Sequence, residues 1–190
     1  MKMRTFHIWD FPKDKIKIKL DEEFRKQFFD ALRKDIGSAR KLSKVFKYNI
    51  SSFSRWWLGK EFIPLPIMLK MYKPLSEKYK MFSFSRLEKN VTHIKSNGMY
   101  NRQAITNPNL PIREDGRLLK LVAHLLGDAY EGQTLKNYSK RGCYCNVNNV
   151  LIEDFLQSLT VFGNVPTCSW FNKKKESNSV ILSTSCDISP

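Results

Sequence analysis

Two groups of side chains in this sequence could do chemistry. The first is Asp128, near the end of Leu121-Val122-Ala123-His124-Leu125-Leu126-Gly127-Asp128-Ala129. This stretch reads as an apolar helix that closes on a small residue and then a carboxylate. The C-terminal end of a helix carries partial negative charge, so an acid there costs a few tenths to about 1 kcal/mol. A locally unfavourable residue at the end of a well-formed helix often marks a functional site. The alternative is an ordinary solvated acid. The second group is Ser51, Ser52, Ser54 and Arg55, with Lys47 and Asn49 at its entrance. Serine hydroxyls suit phosphates and mixed base edges, and arginine suits guanine or phosphate. The alternative there is the outer face of an ordinary helical bundle.

Each group needs elements to hold it. Asp128 depends on a helix expected over Glu114–Asp128. Leu118, Leu119, Leu121, Val122, Leu125 and Leu126 surround that helix almost completely, the pattern of one buried on more than one side. Ala123 and Gly127 are four apart and share a face that would let another helix come close. Lys120, His124 and Asp128 form a polar stripe beside them. Two strands are expected next, Ala129–Ser139 and Gly142–Val147, around a turn at Lys140-Arg141-Gly142. A helix over Val150–Phe162 follows, capped by Asn148 or Asn149 and ended by Gly163-Asn164. Strands over Val165–Asn172 and Ser179–Asp187 complete an α-β-β-α-β-β order.

The serine group sits on the second of two short helices, Ala39–Phe46 and Ile50–Leu58, around Lys47-Tyr48-Asn49. Leu42, Phe46, Tyr48, Phe53 and Trp56 would form their small core. Two such helices joined by about three residues suggest a DNA-reading helix-turn-helix. Upstream, Lys15–Leu20 alternates with period two as a short strand. Asp21-Glu22-Glu23 then opens a helix with Phe24, Phe28 and Leu32 on one face. Gly37 ends it and Ser38 caps the next. Pro64 or Pro66 fits the first turn of a further short helix reaching Met71. Residues 83–94 read as strand or helix, and 97–111 as an irregular linker.

The chain has 190 residues, a net charge of +15 and a pI near 9.7, a balance that favours polyanionic partners. Residues 1–80 hold 20 Lys and Arg against 9 Asp and Glu, a net of +11; residues 81–190 hold 13 against 9, a net of +4. No apolar run approaches the ~18 residues of a membrane span, so no membrane partner is expected. Met1–His7 lacks the apolar stretch of a signal peptide. A cytoplasmic protein with reduced thiols is the expectation. Cys143, Cys145, Cys168 and Cys186 lack paired C-x2-C knuckles, so they read as strand thiols and no zinc is expected.

The run Lys41–Lys60 resembles the repressor-like helix-turn-helix family. The resemblance implies that the helix from Ile50 enters the major groove. Lys47 stands where that family usually has a glycine. Residues 110–190 look like the LAGLIDADG homing-endonuclease family. Leu121–Ala129 carries that resemblance, supported by Asn146–Leu156 and Val161–Val165. His124, Leu126 and Ala129 depart from the usual signature.

The second resemblance implies two signature helices packed side by side through Ala123 and Gly127, with four-stranded saddles in the major groove. Asp128 falls on the family's catalytic, metal-binding acid, which would hold Mg²⁺ at the scissile phosphate. Mg²⁺ takes carboxylate, water and phosphate oxygens, and metals flanking the bond stabilise attacking and leaving oxygens. Lys136, Tyr138, Lys140, Arg141, Lys173, Lys174 and Lys175 match residues that face DNA in that family; a solvated hairpin is the plain alternative. One signature per chain implies a homodimer through the Leu118–Asp128 helix, or a partner half.

The expected class is α+β. Residues 1–80 would form an all-helical helix-turn-helix DNA-binding domain and 81–112 a linker. Residues 113–190 would form a LAGLIDADG-type αββαββ half-domain with a four-stranded antiparallel sheet. Two readings of function stay open. One is a double-stranded DNA-binding nuclease, a Mg²⁺-dependent, site-specific hydrolase of phosphodiester bonds acting as a homodimer. The other is a catalytically silent DNA-binding regulator that keeps the saddle. An RNA-binding or intron-maturase role is a weaker third.

Overall fold

The strand over Ile16–Leu20 has one apolar face, because Ile16, Ile18 and Leu20 alternate with Lys17 and Lys19. Such a strand needs both a core beneath it and partners at its edges. The computed structural model describes residues 4–96, 104–127, 129–134, 137–172 and 177–182. In chain order, the first elements are β1 (Thr5–Phe6), β2 (Ile16–Leu20), α1 (Glu22–Ile36), α2 (Ala39–Phe46) and α3 (Ile50–Trp57). Then come β3 (Ile63–Pro64), α4 (Leu65–Lys78), α5 (Phe84–Lys89), β4 (Val91–Ser96), β5 (Ile105–Thr106) and β6 (Ile112–Arg113). The last are α6 (Gly116–Gly127), β7 (Ala129–Thr134), β8 (Asn137–Asn146), α7 (Asn149–Leu159), β9 (Thr167–Asn172) and β10 (Ser177–Leu182). The fold is mixed α+β with antiparallel sheets. The chain divides into two compact units, His7–Asn97 and Met1–Phe6 with Gly98–Pro190.

In the His7–Asn97 unit, β2 pairs with β3 on one side and β4 on the other, both antiparallel. Ile18 lies opposite Ile63 and Ile94, and Leu20 opposite Val91. Ile18, Leu20, Ile63 and Val91 are buried. Asp21 caps α1 by accepting from the Glu23 and Phe24 amides at 3.0 and 3.1 Å. The buried face of α1 carries Phe24, Phe28, Phe29 and Leu32. Phe28 stacks on Tyr72 of α4 at 5.7 Å, and Phe82 meets both rings edge-on. Each such side chain contributes about 1.5–3 kcal/mol on burial. The Tyr72 hydroxyl donates to the Ser83 carbonyl at 3.0 Å, and burial pushes its pKa up to about 12.

Three expectations for this unit are corrected. It is not all-helical, because β2, β3 and β4 form a sheet. Residues 84–96 are not linker but α5 and β4, inside this unit. The apolar face of β2 requires a long-range partner, which local periodicity does not reveal. The helix after Pro64 runs to Lys78 through Pro74 instead of stopping near Met71. An interior proline costs ~3 kcal/mol, and the burial of Leu75 beyond it, worth about 1.5–3 kcal/mol, offsets much of that cost.

The other unit contains a four-stranded antiparallel sheet in the order β7-β8-β10-β9, with α6 and α7 packed against each other. Tyr144 of β8 stacks on Phe155 of α7 at 4.2 Å, and both are fully buried. β1 pairs with β6, and the Arg4 amide donates to Glu114 at 3.1 Å. The turn expected at Lys140-Arg141-Gly142 is corrected. β8 runs unbroken through these residues, with Arg141 opposite Gly132 and Gly142 opposite Glu131. Lys-Arg-Gly resembles a turn in composition, but ladder pairing asks only for backbone groups. The ladder runs from the Ala129–Tyr144 pair to the Thr134–Asn137 pair.

The expected linker is corrected at its other end too. Thr106 and Asn164 exchange two backbone hydrogen bonds at 3.0 and 2.9 Å, and the Asn109 side chain donates to the Thr160 carbonyl at 2.8 Å. Residues 104–112 are therefore folded onto the exit of α7, with Ala104 and Ile112 buried. Gly163 makes this possible: its φ is +106°, and a Cβ there would sit 2.5 Å from the Asn107 carbonyl oxygen.

Candidate nucleic-acid interface

Between Asp35 and Glu61 the sequence holds six Lys and Arg and no acid, so whatever folds there carries an unrelieved positive charge. It folds into α2 and α3. Leu42, Phe53 and Trp56 are buried behind the pair, with Phe46 and Tyr48 half-buried beside them. Phe53 meets Trp56 edge-on at 5.2 Å, and Tyr48 lies 4.9 Å from Trp56. The turn closes through Lys47, which takes the left-handed conformation at φ 51°, ψ 50°. The Lys47 and Tyr48 amides both donate to the Ser43 carbonyl, and the Ser43 hydroxyl donates back to the Tyr48 carbonyl. Asn49 then caps α3 by accepting from the Ser51 amide at 2.9 Å and the Ser51 hydroxyl at 3.0 Å.

With Phe53 and Trp56 facing inward, Ser51, Ser54 and Arg55 fall on the exposed side of α3, while Ser52 is half-buried. Arg40, Lys41, Lys44, Lys47 and Lys60 are exposed around them. Two arginines of α1 fix the far end of α3. The Arg25 Nε donates to the Trp57 carbonyl at 3.0 Å, and the Arg33 guanidinium lies 4.3 Å over the Trp57 ring. Gly59, at φ +69°, leaves room for Arg25, whose Nη1 lies 2.5 Å from where a Cβ would stand. One partner was not visible in the sequence: Glu61 pairs with Arg55 at 2.6 Å. It lies past the helix stop, so helical spacing gives no hint of the contact.

The other candidate region is α6. Among its residues only Leu121 is buried. Leu119, Val122, Leu125 and Leu126 are exposed, Leu126 at 83%. Within this chain α7 packs against one side of the helix, so the burial on more than one side that its composition suggests is not supplied by this chain alone. Ala123 is exposed, and nothing lies within 4 Å of a Cβ placed on Gly127. Lys120 and His124 point the other way. Lys120 Nζ meets Asp154 Oδ1 at 2.8 Å, and His124 Nε2 meets Asp154 Oδ2 at 3.1 Å. His124 Nδ1 is hydrogen-bonded to the Tyr144 hydroxyl at 2.9 Å. Asp154 of α7 thus holds α6 against α7. The Lys120 ammonium, and after it His124, keeps the Asp154 carboxyl below the usual carboxylate range.

Asp128, Lys136, Lys173, Lys174 and Lys175 lie outside the described residues. Tyr138, Lys140 and Arg141 lie within β8. Among the described residues no group of three or more His, Cys, Asp and Glu could hold a metal ion. Both oxygens of Asp154, the acid nearest the α6–α7 contact, are engaged by Lys120 and His124. The described residues thus do not fit a Mg²⁺ centre on their own. No described helix is long and apolar enough to cross a membrane.

No family model, curated protein or solved structure matches this chain. The residues themselves therefore carry the argument about function.

Two outcomes follow. Replacing Lys47 by glycine removes a left-handed penalty of ~1–2 kcal/mol and adds ~0.5–1 kcal/mol of unfolded-chain entropy. Lys47→Gly should therefore raise stability by about 0.5–1 kcal/mol in a urea titration, and an unchanged or lower midpoint would contradict the strain. For Asp154, a carboxyl held below its ordinary 3.8 stabilises the fold above that pH, and the contribution disappears as pH falls through the lowered value. Wild type should exceed Asp154→Asn in melting temperature at pH 7, and the gap should close below pH 3.8. A gap independent of pH would remove Asp154 from this role.

Proposed function

We propose that this is a cytoplasmic, double-stranded DNA-binding protein in which α2 and α3 act as a helix-turn-helix and α3 enters the major groove. The observation that carries the reading is the exposure of Ser51, Ser54 and Arg55 on one side of α3, within a segment that has no acid between Asp35 and Glu61. Arg55 reads a guanine or grips a phosphate, and the serines contact base edges or phosphates. Lys41, Lys44, Lys47 and Lys60 neutralise backbone charge. Asn49 sets the entrance of the helix by accepting from the Ser51 amide and hydroxyl. Glu61 must release Arg55 first. An exposed pair of this kind is worth ~0.2–1 kcal/mol, against about 1–3 kcal/mol for a good bidentate base contact, so DNA wins the exchange.

A second reading concerns the other unit. The order α6-β7-β8-α7-β9-β10 and the exposed apolar stripe of α6 favour a LAGLIDADG-type half-domain that pairs with a second copy of this chain. Exposed apolar stripes of this kind mark interaction surfaces. Leu119, Val122, Ala123, Leu126 and Gly127 would meet their counterparts. The sheet would lie on the duplex, with Tyr138, Lys140 and Arg141 in β8; the resemblance implies the same contact for Lys136, Lys173, Lys174 and Lys175. Asp128 from each copy would be the metal ligand and catalytic acid. Without cleavage, the same surfaces serve a silent regulator.

The test begins with selection of a preferred duplex from a random library. Arg55→Ala should weaken binding to the selected site by ~1–3 kcal/mol while changing affinity for unrelated duplexes less. Glu61→Gln should strengthen both. An unchanged sequence preference in Arg55→Ala removes α3 as the reader. The selected site is then placed in a plasmid and incubated with Mg²⁺. The nuclease reading expects breaks with wild type that vanish in Asp128→Asn. Equal binding without breaks in either protein assigns the silent regulator.

A further inference from the structure

The sheet of the His7–Asn97 unit has a second face that α3 does not use. Strand alternation puts Lys17 and Lys19 on the side of β2 opposite the buried Ile18 and Leu20. Across the ladder Lys17 faces Lys95, and Lys19 faces His93. Three ammonium groups and an imidazole thus share one sheet face. Phe62 forms the floor beneath them: Lys19 Nζ stands 5.0 Å and Lys95 Nζ 4.7 Å from its ring centroid. His93 meets the same ring edge-on at 6.2 Å. Two further lysines, Lys13 and Lys15, lead into β2, and Asp14 is the one acid between Pro12 and Leu20.

This arrangement is costly for stability alone. Like charges directly opposite each other on a sheet are destabilising. Burial, with help from Lys17 and Lys19, pushes the Lys95 ammonium below its ordinary pKa, and burial with Lys19 does the same to His93. Contact with the Phe62 ring returns ~0.5–1 kcal/mol per cation. The face carries net positive charge, to which a polyanion is complementary.

We propose that the lysine face of β2 and β4 is a second DNA-contacting surface that grips the phosphodiester backbone without reading sequence. The proposal rests on the reading that this protein binds duplex DNA. Phe62 is buried and so cannot stack on bases, which leaves charge as the recognising chemistry. Lys17 and Lys19 are about 6.6–6.8 Å apart along the strand, and each strand of a duplex offers one phosphate per ~3.4 Å of rise. Two neighbouring lysines are therefore far enough apart to meet separate phosphates.

The test is the salt dependence of binding to a 24-bp duplex of random sequence, measured by fluorescence anisotropy in 50–200 mM KCl. Each phosphate contact contributes ~0.9 to the slope of log K against log salt. Lys17→Gln/Lys19→Gln should flatten that slope by about 1.8, so its affinity falls about 12-fold less than wild type over this range. Its sequence preference should not change, and Lys17→Arg/Lys19→Arg should restore the wild-type slope. The glutamine variant should melt at or above the wild-type temperature, because it removes repulsion. A folded glutamine variant with the wild-type slope overturns the proposal, as does binding to anionic-lipid vesicles that depends on these lysines while duplex binding does not.

The two readings fail separately. Binding that responds to Lys17 and Lys19 but not to Arg55 keeps this surface and removes α3. The reverse pattern keeps α3 and removes this surface. Wild-type protein that binds no duplex overturns both.

Discussion

The orientation of α3 depends on the burial of Trp56 and Phe53 against Leu42, with Tyr48 closing the edge. A helix of eight residues has little stability of its own. Its roll is decided by which side chains leave water. Once Phe53 and Trp56 are inside, Ser51, Ser54 and Arg55 have no choice but to face out. Arg25 and Arg33 complete the arrangement from α1 by holding the last turn through the Trp57 carbonyl and ring. A cationic segment is thus tied to the rest of its unit largely by aromatic packing and arginine contacts, and its lysines remain available to solvent or a polyanion.

The two units manage polar groups differently. In the His7–Asn97 unit, the buried Glu88 is satisfied locally: it accepts from the Ile8 amide at 2.9 Å and lies 3.0 Å from His7 Nδ1. Positive charge on its surface is gathered on one sheet face, where Lys17 lies opposite Lys95 and Lys19 opposite His93. In the other unit, Lys120 and His124 are drawn into contacts with Asp154 and Tyr144, which spend their polar capacity on joining α6 to α7. The apolar side of α6 is left outward. One unit therefore offers charge, and the other an apolar stripe with a polar brace behind it.

Several features were legible residue by residue. Asp21 and Gly37 bracket α1, and Asn49 caps α3, because capping acts within one turn of the chain. Lys47 in a position that favours glycine was visible as an anomaly, and its left-handed backbone is the physical content of it. Other features were not legible. Lys140-Arg141-Gly142 has turn composition but continues as strand, because β7 supplies its ladder. Pro74 reads as a stop, yet α4 passes through it, because Leu75 has a core to enter.

The sequence by itself determined the boundaries of α1, α2 and α3, the aromatic cluster behind α3 and the acid-free cationic run, since each depends on neighbours a few positions away. Tertiary structure alone decided three things. It joined β4 to β2, setting Lys95 opposite Lys17. It turned the leucines of α6 outward. It brought Glu61 back onto Arg55. Each of these rests on contacts between segments that local periodicity does not link. Their free energy comes from burial and pairing across the fold, which exists only once the chain has closed on itself.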